Sequence, residues 1–166
     1  MRCFAAMRPN TKALSMQRLI MEIRQVEGRE IGGVLDLIDE YDRPLSPRLL
    51  DDELLTIYNA ILQSGGCVIG AFSSGAMVGT CTLNVCANLS WSGRPYAIIE
   101  NVIVSKGYRN QGFGKAILQY ATEFARNAGC YKAALMTGSK APATHRFYER
   151  SGFSASKQGF QVRFNA

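Results

Sequence analysis

The sequence predicts an α+β fold in which a mixed β-sheet is flanked by helices, in the order β-α-α-β-β-β-α-β-α-β. Three observations lead there. Several short segments either alternate apolar and polar residues or run apolar throughout, as strands do. Between them lie longer stretches with apolar residues at three- and four-residue spacing, as on a helix face. Glycine and proline punctuate the boundaries between the two kinds.

The elements follow in order. "IMEIRQV" (20–26) alternates and predicts a strand. "REIGGVLDLIDEYDRP" places Ile31, Val34, Leu35 and Ile38 at helical spacing and stops at Pro44. Gly28, Gly32 and Gly33 invite a nucleotide-loop reading, but no lysine or serine pattern follows, so a flexible helix start is preferred. "SPRLLDDELLTIYNAILQ" is a second helix; Asp51 and Asp52 near its front suit the helix dipole better than catalysis. "GCVIGAF" and "MVGTCTLNVCA" are strands joined by "SSG", a hairpin signal. After the loop "NLSWSGRP" comes the strand "YAIIENVIV". "GFGKAILQYATEFARNAG" is a helix carrying Ile117, Tyr120, Ala121, Phe124 and Ala128 on one face and closed by Gly129. "CYKAALMT" is again a strand. "APATHRFYERSGF" is a short helix with proline in its first turn and Gly152 at its end, and "ASKQGFQVRF" is a last strand or hairpin.

One domain over 20–166 fits a chain of 166 residues. Residues 1–19 hold Arg2, Arg8, Lys12 and Arg18 and no acid. That pattern is compatible with an organelle transit segment, but a flexible tail, or a start codon ahead of Met16, is the preferred reading. Composition is globular, with 47% hydrophobic and 19% charged residues. The net charge of +6 suits an anionic ligand. The cations are scattered rather than interleaved with aromatics, so nucleic acid is not expected as a partner. No apolar run reaches the ~20 residues of a membrane span. Five cysteines without a CxxC pair, and a single histidine, predict buried thiols in a reducing, cytoplasmic setting and no metal site.

Residues 108–118, "YRNQGFGKAIL", put Gly112 and Gly114 at a strand–loop–helix junction, with Arg109 before them and Lys115 after. Small residues let backbone N–H groups approach an oxygen closely, and the helix N-terminus adds partial positive charge. The pattern reads as a cradle for an anion. It lacks the third glycine of a dinucleotide fingerprint and the GKS/T ending of a P-loop.

On "IIENVIVSKGYRNQGFGKAIL", "GCYKAALMT" and "HRFYERSGF", in that order, the chain resembles the GNAT acyltransferase superfamily, which moves an acyl group from acyl-CoA to an amine. The resemblance runs over residues 20–164 and looks most like the small-molecule branch that includes glucosamine-6-phosphate N-acetyltransferases. It implies a mostly antiparallel sheet and acetyl-CoA as cosubstrate. Arg109, Asn110, Gln111, Gly112, Phe113, Gly114 and Lys115 would hold the pyrophosphate, mainly through the amides of Asn110 to Gly114. The backbone of Val102, Ile103 and Val104 would pair with the pantetheine arm as a peptide adds to a strand edge. Met136 stands where that branch has an aspartate, and no asparagine precedes the final helix between Gly138 and Phe147. Acetyl-CoA is therefore carried over and the phosphorylated sugar is not.

Glu100 interrupts an apolar strand and is either an ion-pair partner or a general base tuned by burial. By strict alternation Val102 shares its face, which would aim Glu100 at the pantetheine end. The resemblance supports the base role, direct or through water. It also matches Tyr148 to a general acid beside the thioester sulfur; the alternative is a core aromatic. His145, one turn before Glu149, reads more readily as structural than as pocket lining. Trp91 and Arg94 are candidates for a lid over the acceptor, with an exposed loop as the alternative. Acceptor specificity is expected in the two N-terminal helices and the loop at 88–95.

The expectation is an N-acetyltransferase acting on a small primary amine by direct attack in a ternary complex; a homodimer is what the family resemblance implies for the assembly. An N-acetyltransferase of proteins or peptides is the first alternative. The second is a non-catalytic acyl-CoA sensor, which would have no use for both Glu100 and Tyr148.

Overall fold

Among the described residues, five strands pair in the order in which they occur along the chain. The computed structural model describes residues 20–41 and 47–164; the expectations for residues 1–19 lie outside them. The strands are β1 (Met21–Gln25), β2 (Cys67–Ser73), β3 (Ala76–Cys86), β4 (Tyr96–Val104) and β5 (Ala133–Leu135). The first three pairings are antiparallel and β4–β5 is parallel. Ser74 and Gly75, both at positive φ (49° and 85°), make the tight turn between β2 and β3; that turn geometry matches the twist of the strands it joins. A parallel pair needs a crossover instead, and α3 (Phe113–Asn127) supplies it between β4 and β5.

β2 is buried along its whole length because helices cover both faces of the sheet. On one face Cys67, Ile69 and Ala71 meet Phe113, Ile117, Leu118 and Ala121 of α3. On the other, Val26, Val68 and Ile103 meet Val34, Leu37 and Ile38 of α1 (Ile31–Asp39), with Tyr58 and Ile61 of α2 (Asp51–Gln63) against them. α4 (Pro142–Arg150) adds Phe147 and Tyr148 to the α3 side. The acids Asp51, Asp52 and Glu53 occupy the first turn of α2, and Glu53 accepts from the Leu50 amide at 2.9 Å, so these residues cap the helix. Gly28 packs toward Leu55 on α2 rather than forming a nucleotide loop.

The mixed, mostly antiparallel sheet with flanking helices is the expected class, but two strands differ from expectation. Residues 155–164 join no ladder, although Phe160, Val162 and Phe164 keep the alternation that predicts a strand; all three are exposed. β5 is only three residues long. The cause of the second difference lies in β4.

β4 carries one residue more than β3 can match. Thr80 faces Ile103 and Thr82 faces Glu100, so Cys81 opposes both Asn101 and Val102. Asn101 takes φ 53°, a left-handed conformation that asparagine tolerates better than most residues. This β-bulge inverts the alternation. Before it, Ala97 and Ile99 pack into the α3-side core; after it, Val102 and Val104 do, and Ile103 turns to the α1 side. The β4–β5 ladder ends at Ile99–Leu135, just before the bulge, and the two strands part there.

Candidate functional site

Between the parted strands lies a cleft of about 180 Å³. Residues 99–103 of β4 form one wall, Met136 to Gly138 beyond β5 form another, and Tyr148 of α4 and Tyr41 beyond the end of α1 complete it. Both proposed catalytic residues, Glu100 and Tyr148, are therefore brought to one place.

Glu100 is half-buried and forms no salt bridge among the described residues. The ion-pair reading thus loses its partner there. The expectation that Val102 shares its face does not hold, because the extra residue at 101 inverts the strand between them.

Tyr148 is half-buried, its ring set against Phe147 (centroids 5.0 Å apart) and Phe153 (6.5 Å). Burial raises the pKa of its phenol, and neighbouring Tyr41 pushes it further in the same direction. A phenol with a raised pKa stays protonated at neutral pH, as a proton donor must.

The glycine-rich turn follows directly from β4. Asn110 has φ 62° and Gly112, the residue capping α3, has φ 92°. The first intrahelical bond runs from the Ala116 amide to the Gly112 carbonyl at 3.0 Å. Amides of the first helical turn before it have no acceptor within the helix. Those of Asn110, Gln111 and Gly112 find none among the described residues either. Several N–H groups and the exposed Lys115 thus surround one helix N-terminus, the arrangement that suits an anion.

Phe113 is fully buried and meets Tyr108 edge-on at 5.9 Å, so it offers a ligand only its backbone. Burying such a ring contributes about 1.5–3 kcal/mol, enough to pin the turn. Gly114 has a packing reason to be glycine: a Cβ there would lie 3.1 Å from the Phe147 ring on α4. Arg109 Nε donates to the Val104 carbonyl at 2.9 Å, and Gln111 Nε2 to the Gly107 carbonyl at 2.9 Å, bracing the loop. Ile103 and Val104 pair with Thr80 and Gly79 on the β3 side, while the β5 side of β4 has no strand partner beyond Ile99 among the described residues. The Val104 carbonyl is already taken by Arg109, so Val102 is the best placed of the three to receive an extended ligand.

Other candidates lie elsewhere. His145 Nε2 is 2.8 Å from the Ser139 carbonyl and ties the approach to α4, a structural use. Trp91 stacks on Tyr131 (5.1 Å, 16°), and Arg94 donates to the carbonyls of Gly129 and Cys130 at the end of α3 (3.4 and 3.3 Å). These contacts hold the 88–95 loop where β4 begins, whereas the cleft opens beyond Ile99, so the lid expectation is overturned. Among the cysteines, Cys67, Cys81 and Cys130 are buried free thiols, and burial raises the pKa of each, that of Cys67 to about 12.

Sequence reasoning missed Tyr41, Asn101, Thr137 and Gly138 as cleft residues. Asn101 left a signal, since asparagine in the middle of an apolar strand marks a candidate left-handed residue. Tyr41 left none.

Comparison with known proteins finds acetyltransferases. A model described as "Acetyltransferase (GNAT) family" matches residues 33–153. A glucosamine 6-phosphate N-acetyltransferase of Trypanosoma brucei brucei is 30% identical over 145 residues, covering 86% of this chain and 95% of that one. An aminoalkylphosphonate N-acetyltransferase of Salmonella typhimurium is 34% identical over 89 residues, 52% of this chain and 55% of its own length. Among solved structures, an acetyltransferase of Trypanosoma brucei aligns with a TM-score of 0.77 at 27% identity, over 87% of this chain and 100% of that one.

Proposed function

This chain belongs to the GNAT acetyltransferase family, and from that premise we propose that it moves an acetyl group from acetyl-CoA to a small primary amine by direct attack in a ternary complex. The observation that carries the reading is the cleft at the Asn101 bulge, where Glu100 and Tyr148 converge beside an unpaired stretch of β4. Glu100 takes the proton that the attacking amine must lose, directly or through water. The amine nitrogen forms its bond to the acetyl carbon, the carbon–sulfur bond breaks, and Tyr148 gives its proton to the departing thiolate. The amides of Asn110 to Gly114, with Lys115 and Arg109, hold the pyrophosphate, and Val102 leads the pantetheine arm into the cleft.

A volume of about 180 Å³ suits a thioester end and a small amine better than a folded protein surface. The exposed row of Phe160, Val162 and Phe164 supports a homodimer, because a strand-like apolar row seeks cover. Free buried thiols support a reducing compartment such as the cytoplasm.

The test is release of free thiol from acetyl-CoA across a panel of amines and short peptides, with Glu100→Gln and Tyr148→Phe as controls. Turnover with small amines that both variants lose supports the reading. A protein that binds coenzyme A yet releases no thiol with any acceptor is a sensor instead.

A further inference from the structure

The lining of the cleft has a chemistry of its own. Met136 and Tyr41 line it and are 63% and 57% exposed, presenting a thioether and a phenol ring to whatever enters. Among the described residues the lining contains one carboxylate, Glu100, and no lysine, arginine or histidine. Arg48, the first described cation after α1, is held by Asp36 at 2.8 Å, Asp39 at 3.8 Å and the Gly32 carbonyl at 3.1 Å. Arg109 and Lys115 belong to the turn at the front of α3.

Resting on the acetyltransferase reading above, we propose that the acceptor is an unphosphorylated primary amine on an apolar or aromatic stem. Amines bearing a phosphate or phosphonate are poor substrates. A methionine and a tyrosine ring cover hydrocarbon well, and an aromatic face beside a carboxylate attracts an ammonium group before it is deprotonated. A phosphate needs cations or several directed N–H groups to replace its water. Among the described lining residues it would meet Glu100 and no opposing charge. The two relatives are named for a sugar phosphate and an aminoalkylphosphonate, so the inference separates this chain from both.

The experiment measures kcat/KM of the full chain for 2-phenylethylamine, hexylamine, glucosamine, glucosamine 6-phosphate and 2-aminoethylphosphonate at saturating acetyl-CoA. The two apolar amines should exceed the two phosphorylated ones by about 100-fold or more, the discrimination expected when a charged group is left unpaired. Met136→Arg should narrow that gap by about tenfold, as one supplied cation would. Either phosphorylated amine matching 2-phenylethylamine overturns the proposal.

Absence of turnover with every amine would sink the acetyltransferase reading. Melting of the coenzyme A-loaded protein with the same five amines then decides the acceptor class separately. Protection by 2-phenylethylamine and not by the phosphorylated pair supports the proposal. Protection by a phosphorylated amine, or by none of the five, overturns it.

Discussion

Glu100 and Val102, two residues apart on β4, lie on opposite faces of the sheet because Asn101 between them is an extra residue at φ 53°. The same insertion ends the β4–β5 ladder at Ile99. One bulge thus sets the direction of the proposed base and opens the space into which it points.

Deleting Asn101 should restore regular pairing, extend β5 along β4 and close the cleft. Acetyl transfer is expected to fall by about 100-fold or more, as displacement of reacting groups by an ångström can cause, while far-UV circular dichroism keeps its native form. Asn101→Gly accepts the left-handed backbone and should stay within a few-fold of wild type. Asn101→Val should lose about 1–2 kcal/mol of stability to backbone strain. Wild-type activity in the deletion would show that the bulge does not open the site.

The two glycines of the turn should fail in different ways. Coenzyme A at a hundredfold excess over Kd should add about 2.7 kcal/mol of thermal protection, and pantetheine, without the pyrophosphate, much less. Gly112→Val places a β-branched residue where φ is 92° and a Cβ would meet the Met21 methyl in ordinary contact at 3.8 Å; the chain should fold and lose the protection. Gly114→Ala instead pushes on Phe147. It should cost about 1–3 kcal/mol, keep most of the protection and lower kcat by moving α4 and Tyr148. Equal protection by pantetheine would remove the phosphate cradle from the account.

Local signals made most of the fold legible. "SSG" fixed a hairpin because its turn is chosen by adjacent residues, and Gly129 closed α3 for the same reason. The cradle at 109–115 was legible because glycine, cations and a helix start are contiguous. What escaped depended on distant partners. Strict alternation misplaced Val102, since a bulge is decided by the register of two strands rather than by either one. Tyr41 reaches the cleft only because α1 packs on the Ile103 face, a tertiary fact with no local mark. Trp91 looked available for a lid until Tyr131, forty residues on, stacked against it. The segment 155–164 alternates as strands do, yet alternation states a preference and cannot supply a neighbour.

Tyr148→Phe removes one hydroxyl and leaves the ring against Phe147 and Phe153. Stability near neutrality should barely change, while kcat falls by about 10²-fold, the loss expected for a general acid. The raised pKa makes a second, directional test. The folded protein favours the neutral phenol, so this contribution to stability is present below the unfolded pKa of about 10 and is lost as pH rises through the folded value. Wild-type Tm should therefore drop more steeply than that of Tyr148→Phe above pH ~10. A variant with full kcat and a lowered Tm at neutral pH would make Tyr148 a packing residue.

Glu100→Gln separates enzyme from sensor. Glutamine keeps the size and hydrogen-bonding reach of the side chain but cannot accept the proton that an amine loses on attack. Coenzyme A should protect the variant as well as wild type, because the amides at 110–114 lie in a different segment from residue 100. The rate should fall by about 10²- to 10⁴-fold, the range for a positioned base. In wild type, kcat/KM should rise with pH as the acceptor sheds its proton. The defect should shrink for acceptors of low amine pKa, which arrive neutral and ask less of the base. That dependence on the acceptor is what a structural role could not produce, since a distorted cleft would slow all amines alike. Wild-type rates on every accepted amine would assign Glu100 to structure and leave the proton to solvent.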